Sequence, residues 1–268
     1  MRQDEASAKT DRKPGAVDPA SAQWRERDAL GRFGTGGGGK DKKAAARRAK
    51  IARDPGGYLT SHAGTLPKTA RPSEAELAAR ARRWEGKVPG RDRKYNAAEK
   101  AALRLMEQLW DAVKGYFPPG TGMPVPRFRQ GGETVGAVGF APTEKGPQAV
   151  GVVFEHLLIN DLLGWRDKGG GKITDPKRRD AVFQGALQTI LHEWAHNMQK
   201  PELYAAETKN PRPTIEGGAE AFAVAVTPLA MKALGRKPTK PHVNDRKHVV
   251  DVAAKRGMDW ILRGQFGR

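Results

Sequence analysis

The stretch Thr189-Ile-Leu-His192-Glu193-Trp-Ala-His196-Asn-Met-Gln holds the residue types and spacing best suited to chemistry. Two histidines at i and i+4 on a helix project from one face, one turn apart. Their ring nitrogens can then reach one zinc ion at about 2.0–2.1 Å each. Glu193 is offset by one residue and stands beside such a metal rather than on it. From there a carboxylate can take a proton from a metal-activated water. Chance spells H-E-x-x-H roughly 0.007 times in a chain of this composition. Leu187, Leu191, Trp194 and Met198 form an apolar stripe on the other side of the helix, while Gly185 and Thr189 leave room beside the histidines. A helix buried along one flank, with the histidines facing a cleft, follows from that pattern.

A zinc enzyme needs a third protein ligand and an open fourth position. The chain has no cysteine, so His, Asp or Glu must supply it, and disulfides and thiolate chemistry are excluded. The acidic candidates downstream are Glu202, Glu207, Glu216 and Glu220. Glu202 and Glu207 fall in the polar stretch KPELYAAETKNPRP, which reads as a loop. Glu216 and Glu220 fall in TIEGGAEAFAVAV, which reads as a helix, again at i and i+4. If Glu216 binds the metal, Glu220 lies one turn on and can accept the N–H of a ligand histidine. Gly217 and Gly218 would let this helix approach the first closely.

The elements that position these residues make an α+β chain. Residues 1–95 carry 23 of the 48 Lys+Arg but only 12 of the 30 Asp+Glu, and the formal charge of the whole is +18. Residues 1–56, basic and rich in Gly, Lys and Arg, hold few large apolar side chains and are expected to be a disordered tail. Residues 57–92 read as a linker with one short basic helix, started by a capping box at Ser73 and Glu76. A domain from 93 to 268 follows. Asn96–Tyr116 reads as an amphipathic helix on Ala97, Ala101, Leu105, Leu109 and Val113. Thr134–Phe140 and Ala149–Phe154 read as an antiparallel hairpin, and helices are expected over 176–199, 214–234 and 245–262. No run approaches the ~18 apolar residues of a membrane span. The N-terminus lacks the apolar core of a secretory signal, so a cytoplasmic or virion-associated protein is expected.

In the residues from Ile190 to Phe222 the sequence resembles the gluzincin class of zinc metallopeptidases. There an H-E-x-x-H helix is followed by a helix supplying a glutamate ligand. The resemblance implies a zincin-like domain: a small antiparallel sheet packed on the active-site helix, with further helices. It implies zinc on His192, His196 and Glu216, with Glu193 as general base, Glu220 supporting a ligand histidine, and a polypeptide substrate. It also implies a substrate-pairing strand, placed at Ala149–Phe154 around Val150, and a donor to the transition-state oxyanion, for which Tyr204, His242 and His248 are candidates. The segment around Glu220 is similar as well to repressor-cleaving proteases of the ImmA/IrrE type, in which Glu220 would be the ligand. Arg27-Asp28-Ala-Leu-Gly31-Arg32-Phe33-Gly34 resembles a segment of virion and head-assembly proteins of actinobacterial tailed phages. That likeness implies virion proteins or DNA as partners of the tail. Two alternatives stand beside the peptidase: a virion structural or adaptor protein keeping a zinc fold, and a DNA-associated protease.

Overall fold

The computed structural model describes residues 38–88, 92–129, 136–141, 148–165, 171–206 and 212–267. Ala44–Arg268 form one compact unit; of the other, Met1–Lys43, the described residues are 38–43, which are helical. The stretch from Arg27 to Gly34 lies outside the described residues.

Several helices start at a side-chain cap that the sequence provides. After α1 (Gly38–Arg53), Asp54 accepts the Gly57 N–H and opens α2 (Pro55–His62), with Pro55 in its first turn. Ser73 and Glu76 close a reciprocal capping box on α3 (Glu74–Glu85), and Asn96 and Glu99 do the same on α4 (Ala97–Val113). Three strands follow: β1 (Pro126–Arg129), β2 (Gly136–Ala141) and β3 (Gln148–Glu155). Then come α5 (His156–Leu163), α6 (Pro176–Met198), α7 (Pro201–Ala206), α8 (Arg212–Ala233) and α9 (Arg246–Arg256), and a single π-helical turn at Trp260–Gly264.

The core is built where α4, α6 and α8 meet. Trp194 of α6 packs edge-on to Trp110 of α4, with ring centroids 5.5 Å apart. Phe117 lies against Phe222 of α8 and Phe266 near the C-terminus, at 5.4 and 5.0 Å. Each such buried ring stabilises the fold by roughly 1.5–3 kcal/mol. The face of α4 that enters this core is Ala102, Leu103, Met106, Leu109, Trp110 and Val113; of the expected row it keeps Leu109 and Val113, with Leu105 partly buried at its edge and Ala97 exposed. A strict four-residue repeat drifts around a helix of 3.6 residues per turn, and the larger side chains claim the buried sector.

Three expectations about organisation change. The segment expected to be a tail ends in structure: Ile51 is fully buried, Arg47 reaches the carbonyl of Ala253 at 3.4 Å, and Arg48 pairs with Asp251. These arginines bond to α9 rather than repel one another in water. The expected linker is part of the fold too. Leu59, Trp84 and Val88 are buried, Trp84 donates its indole N–H to Glu107 at 2.9 Å, and Arg80 grips Asp111 with two hydrogen bonds. The last expected helix breaks at Gly257, whose φ of 78° no long helix can continue.

The sheet is mixed rather than purely antiparallel, in the order β1-β3-β2. β2 and β3 pair antiparallel, as the hairpin requires, but β1 adds in parallel along Val152–Glu155. β3 is therefore central over that stretch, with both sides taken by neighbours. The substrate-pairing role expected of Ala149–Phe154 does not hold there, because its backbone groups are already used. Val150 sits at a register shift, unmatched between the Gly139–Gly151 and Phe140–Ala149 pairs; its side chain lies outside the described residues. Among the described residues, β2 is the strand beside α6 with one side unpaired.

Candidate metal centre

Helix α6 carries the site because its start and one flank are firmly fixed. Asp175 accepts the N–H groups of Lys177 and Arg178, Pro176 fills the first turn, and Phe183, Leu187, Ile190, Leu191 and Trp194 are buried in sequence down one side. His192 and His196 stand off that flank. Glu216 reaches them from the first half of α8.

Three atoms converge. His192 Nε2 and His196 Nε2 are 3.0 Å apart, and Glu216 Oε2 lies 3.4 Å from the first and 3.2 Å from the second. Hydrogen bonds at the far side of each ring set what these nitrogens carry. His192 Nδ1 is 3.1 Å from Glu220 Oε2, and a carboxylate there is an acceptor. His196 Nδ1 is 3.0 Å from Gln199 Oε1. The Gln199 amide is oriented by its other end, whose NH2 donates to the Ile215 carbonyl at 2.9 Å and to Gln265 Oε1 at 2.8 Å. Both Nδ1 atoms therefore carry a proton, and both Nε2 atoms face the Glu216 carboxylate. A carboxylate and two ring nitrogens this close call for positive charge among them, which a proton on Nε2 or a metal ion supplies. Four ligands at about 2.05 Å around a tetrahedral ion stand about 3.3 Å apart, close to all three separations found here. His192, His196 and Glu216 form a group that can hold a metal ion.

The electrostatics agree with a site that wants positive charge. Burial alone would depress the His192 imidazole, but the Glu216 and Glu220 carboxylates outweigh it and push its pKa up to about 10. The His192 and His196 rings hold the Glu216 carboxyl well below the ordinary carboxylate range, against the opposing effect of burial. Glu193 is pushed upward by burial, which the two histidines only partly offset. It makes no hydrogen bond or ion pair to a described residue.

A cleft of about 540 Å³ opens over these groups. His192, Glu193 and Glu216 line it, along with Gly185 and Thr189 of α6, Leu158 and Asp161 of α5, and His242, Asn244 and Asp245. Glu220 lines it too, but its side chain is 3% exposed and its second oxygen accepts from the Asn244 N–H at 2.8 Å and from Gln188 at 3.2 Å.

The other expected residues divide. Of the three candidate oxyanion donors, His242 lines the cleft and its ring is exposed. His248 is turned to Asp245 at the start of α9 and is not among the lining residues. Tyr204 lies on the Nδ1 side of His196, its hydroxyl 2.9 Å from Gln199 Oε1 and 3.1 Å from the His196 carbonyl. Burial holds that phenol well above its ordinary range, so it stays protonated. Glu202 lies in α7, and Glu207 is outside the described residues. Gly217 and Gly218 make room for other neighbours than the one expected. A Cβ on Gly217 would meet the His248 carbonyl at 2.7 Å, and one on Gly218 would meet Gln265 at 2.7 Å. They admit α9 and the C-terminal segment, not α6. Gln199 and Gln188, which orient a ligand histidine and its supporting glutamate, gave no signal beyond being polar positions three after and four before a histidine. Among the described residues no helix is long and apolar enough to cross a membrane. Comparison with protein-family models, curated proteins and solved structures finds no match for the chain.

Proposed function

We propose that the chain is a zinc-dependent peptidase of gluzincin type with a zincin-like active domain, using His192, His196 and Glu216 as ligands. The observation that carries this reading is the convergence of His192, His196 and Glu216, the first and last of which line an open cleft together with the Glu193 carboxylate. Structural zinc sites are closed by four protein ligands, whereas three ligands facing a cleft leave a position for a reactant. Two imidazoles and a carboxylate are a donor set that suits zinc. Zinc bound there would polarise a scissile carbonyl and acidify a water.

The chain's own residues account for the rest. Glu220 and Gln199 hold the two rings in the tautomer that leaves Nε2 bare. Glu193 takes a proton from the attacking water as its oxygen adds to the carbonyl carbon. It then passes that proton to the amine nitrogen as the C–N bond breaks. One water is consumed, and a carboxylate and an amine are released. The upward push that burial gives Glu193 suits a group that must both accept and return a proton.

The test is elemental analysis together with peptide cleavage. Wild type should carry zinc and cleave, His196→Ala should lose both, and Glu193→Gln should keep zinc and lose cleavage. Zinc bound by wild type without any cleavage of peptides would leave a metal kept for architecture. A wild type that binds no metal would sink the proposal.

A further inference from the structure

Two clefts of the molecule differ in the charge of their walls. Among the described residues, no Lys or Arg lines the one over the metal site, where carboxylates gather. A second cleft, of about 650 Å³, lies between the end of α5, the end of α8 and the start of α6. Lys172, Arg179, Arg236 and Lys237 line it, against the single carboxylate of Asp180. Arg179 stands about 20 Å before His192 along the axis of α6, at about 1.5 Å per residue, so this is a separate site.

The fold uses one of the four cations. The Arg236 guanidinium lies 3.8 Å over the Phe183 ring and bonds Asp180 at 3.1 Å, which takes the one carboxylate. The side chains of Lys172, Arg179 and Lys237 make no hydrogen bond or ion pair with a described residue. Arg179 is nevertheless held in place. Its stem crosses Gly164, where a Cβ would meet it at 3.2 Å. Three like charges left open around one cleft call for an anion.

An aromatic side chain stands at the rim of the same cleft. Trp165 is 38% exposed and forms an antiparallel bridge with Lys172, closed by the Ile173 N–H donating to the Gly164 carbonyl at 2.8 Å. Side chains of directly opposed residues leave the same face of such a pair, so the indole lies beside the Lys172 stem. A cationic groove with an exposed ring at its edge fits a chain of phosphates bearing flat, unpaired bases. An acidic polypeptide would satisfy the cations and leave the indole unused.

We infer that this cleft binds single-stranded nucleic acid, with Lys172, Arg179 and Lys237 on backbone phosphates and a base stacked on Trp165. The site is independent of the peptidase reading, since none of these residues touches the metal centre.

The test is binding of a labelled oligothymidylate to the full chain, followed by fluorescence anisotropy over a range of salt. Combining Lys172→Gln, Arg179→Gln and Lys237→Gln should flatten the slope of log affinity against log salt by about 2, at about 0.7 per phosphate contact. Removing as many charges elsewhere, at the exposed Lys68, Lys247 and Lys255, should leave the slope unchanged and so controls for the field of a chain of charge +18. Trp165→Ala should weaken binding about tenfold at an unchanged slope, and Trp165→Phe should restore most of it. These side chains are exposed, so melting temperature and zinc content should stay as they are in every variant. No binding by wild type, or equal flattening in the two triple variants, would overturn the inference. So would binding indifferent to Trp165 with an acidic peptide held as tightly as the oligonucleotide, which would give the cleft to an acidic polypeptide. Neither metal nor cleavage enters the assay, so its outcome and that of the peptidase reading are separate.

Discussion

Two glutamates beside histidines, one on α4 and one on α8, show opposite ways of completing a polar cluster. Glu99 is fully buried, and donors surround it: the Arg93 guanidinium at 2.8 and 2.7 Å, the Asn96 N–H at 2.8 Å, and His156 Nε2 at 3.4 Å. The protein itself closes this cluster. The Glu216 side chain is 41% exposed and faces two imidazole nitrogens whose rings are anchored on their far sides by Glu220 and Gln199. Here no arginine or backbone N–H among the described residues closes the cluster. Both sites use the same residue type near the start of a helix, but the first is finished by folding and the second is left able to take a cation. A cluster left incomplete in this way is where chemistry is to be sought.

The largest effects should fall on the open cluster. Glu193→Gln removes the proton acceptor without touching a ligand, and cleavage should fall about a thousandfold with zinc retained. His196→Ala should abolish both zinc and cleavage. Glu99→Gln, at the closed cluster, should leave zinc stoichiometry and cleavage per folded molecule unchanged. Loss of zinc on changing Glu99 would break the contrast, because the two clusters would then be one system.

A smaller effect should come from the residues that hold the open cluster in order. Glu220→Gln replaces a charged acceptor on His192 Nδ1 with an amide, and Gln199→Leu removes the acceptor on His196 Nδ1 altogether. Each should weaken zinc binding by roughly 10- to 100-fold, read by competition with a chelator. A purely structural role would instead lower the melting temperature of the metal-free chain and leave its affinity for zinc as it was. The two readouts tell these cases apart.

How far the sequence reaches follows the same division. His192, Glu193 and His196 are legible because three residue types at fixed helical spacing carry the geometry with them. Glu216 and Glu220 are legible as a pair on one helix face, although spacing alone left open which of them faces the metal. The structure places Glu216 with the two Nε2 atoms and Glu220 on an Nδ1. Gln199 is not legible, because its role depends on the Ile215 carbonyl and Gln265, residues 16 and 66 positions away. Ile51 with Arg47 and Arg48 is misread for a related reason. A basic, alanine-rich stretch looks solvated until α9 supplies the partners, some 200 residues on. β1 is missed because four residues, opened by Pro126, are too short a run for their alternation to stand out. Local chemistry and helical spacing are written in the sequence; partners brought together by tertiary packing are not.

The smallest prediction concerns stability, where the two clusters should differ in their response to added zinc. Burial pushes the Glu99 carboxyl upward, but the Arg93 guanidinium and the Asn96 N–H outweigh it, so its pKa in the folded chain lies below the ordinary 4.5. A carboxyl depressed by folding stabilises the protein in full above its ordinary value, and that contribution is lost as pH falls through the folded value. Glu99→Gln should therefore cost about 1.5 kcal/mol at pH 7, and the gap to wild type should close as pH falls below 4.5. In metal-free protein Glu216 behaves alike, because the His192 and His196 rings hold its carboxyl well below the ordinary range and Glu216→Gln loses that pairing. Metal is what separates the clusters: in denaturant melts at pH 7 added zinc should stabilise wild type and Glu99→Gln but not Glu216→Gln. If zinc stabilised Glu216→Gln as much as wild type, the α8 cluster would not be the one a cation completes, and the contrast between the two glutamates would fail.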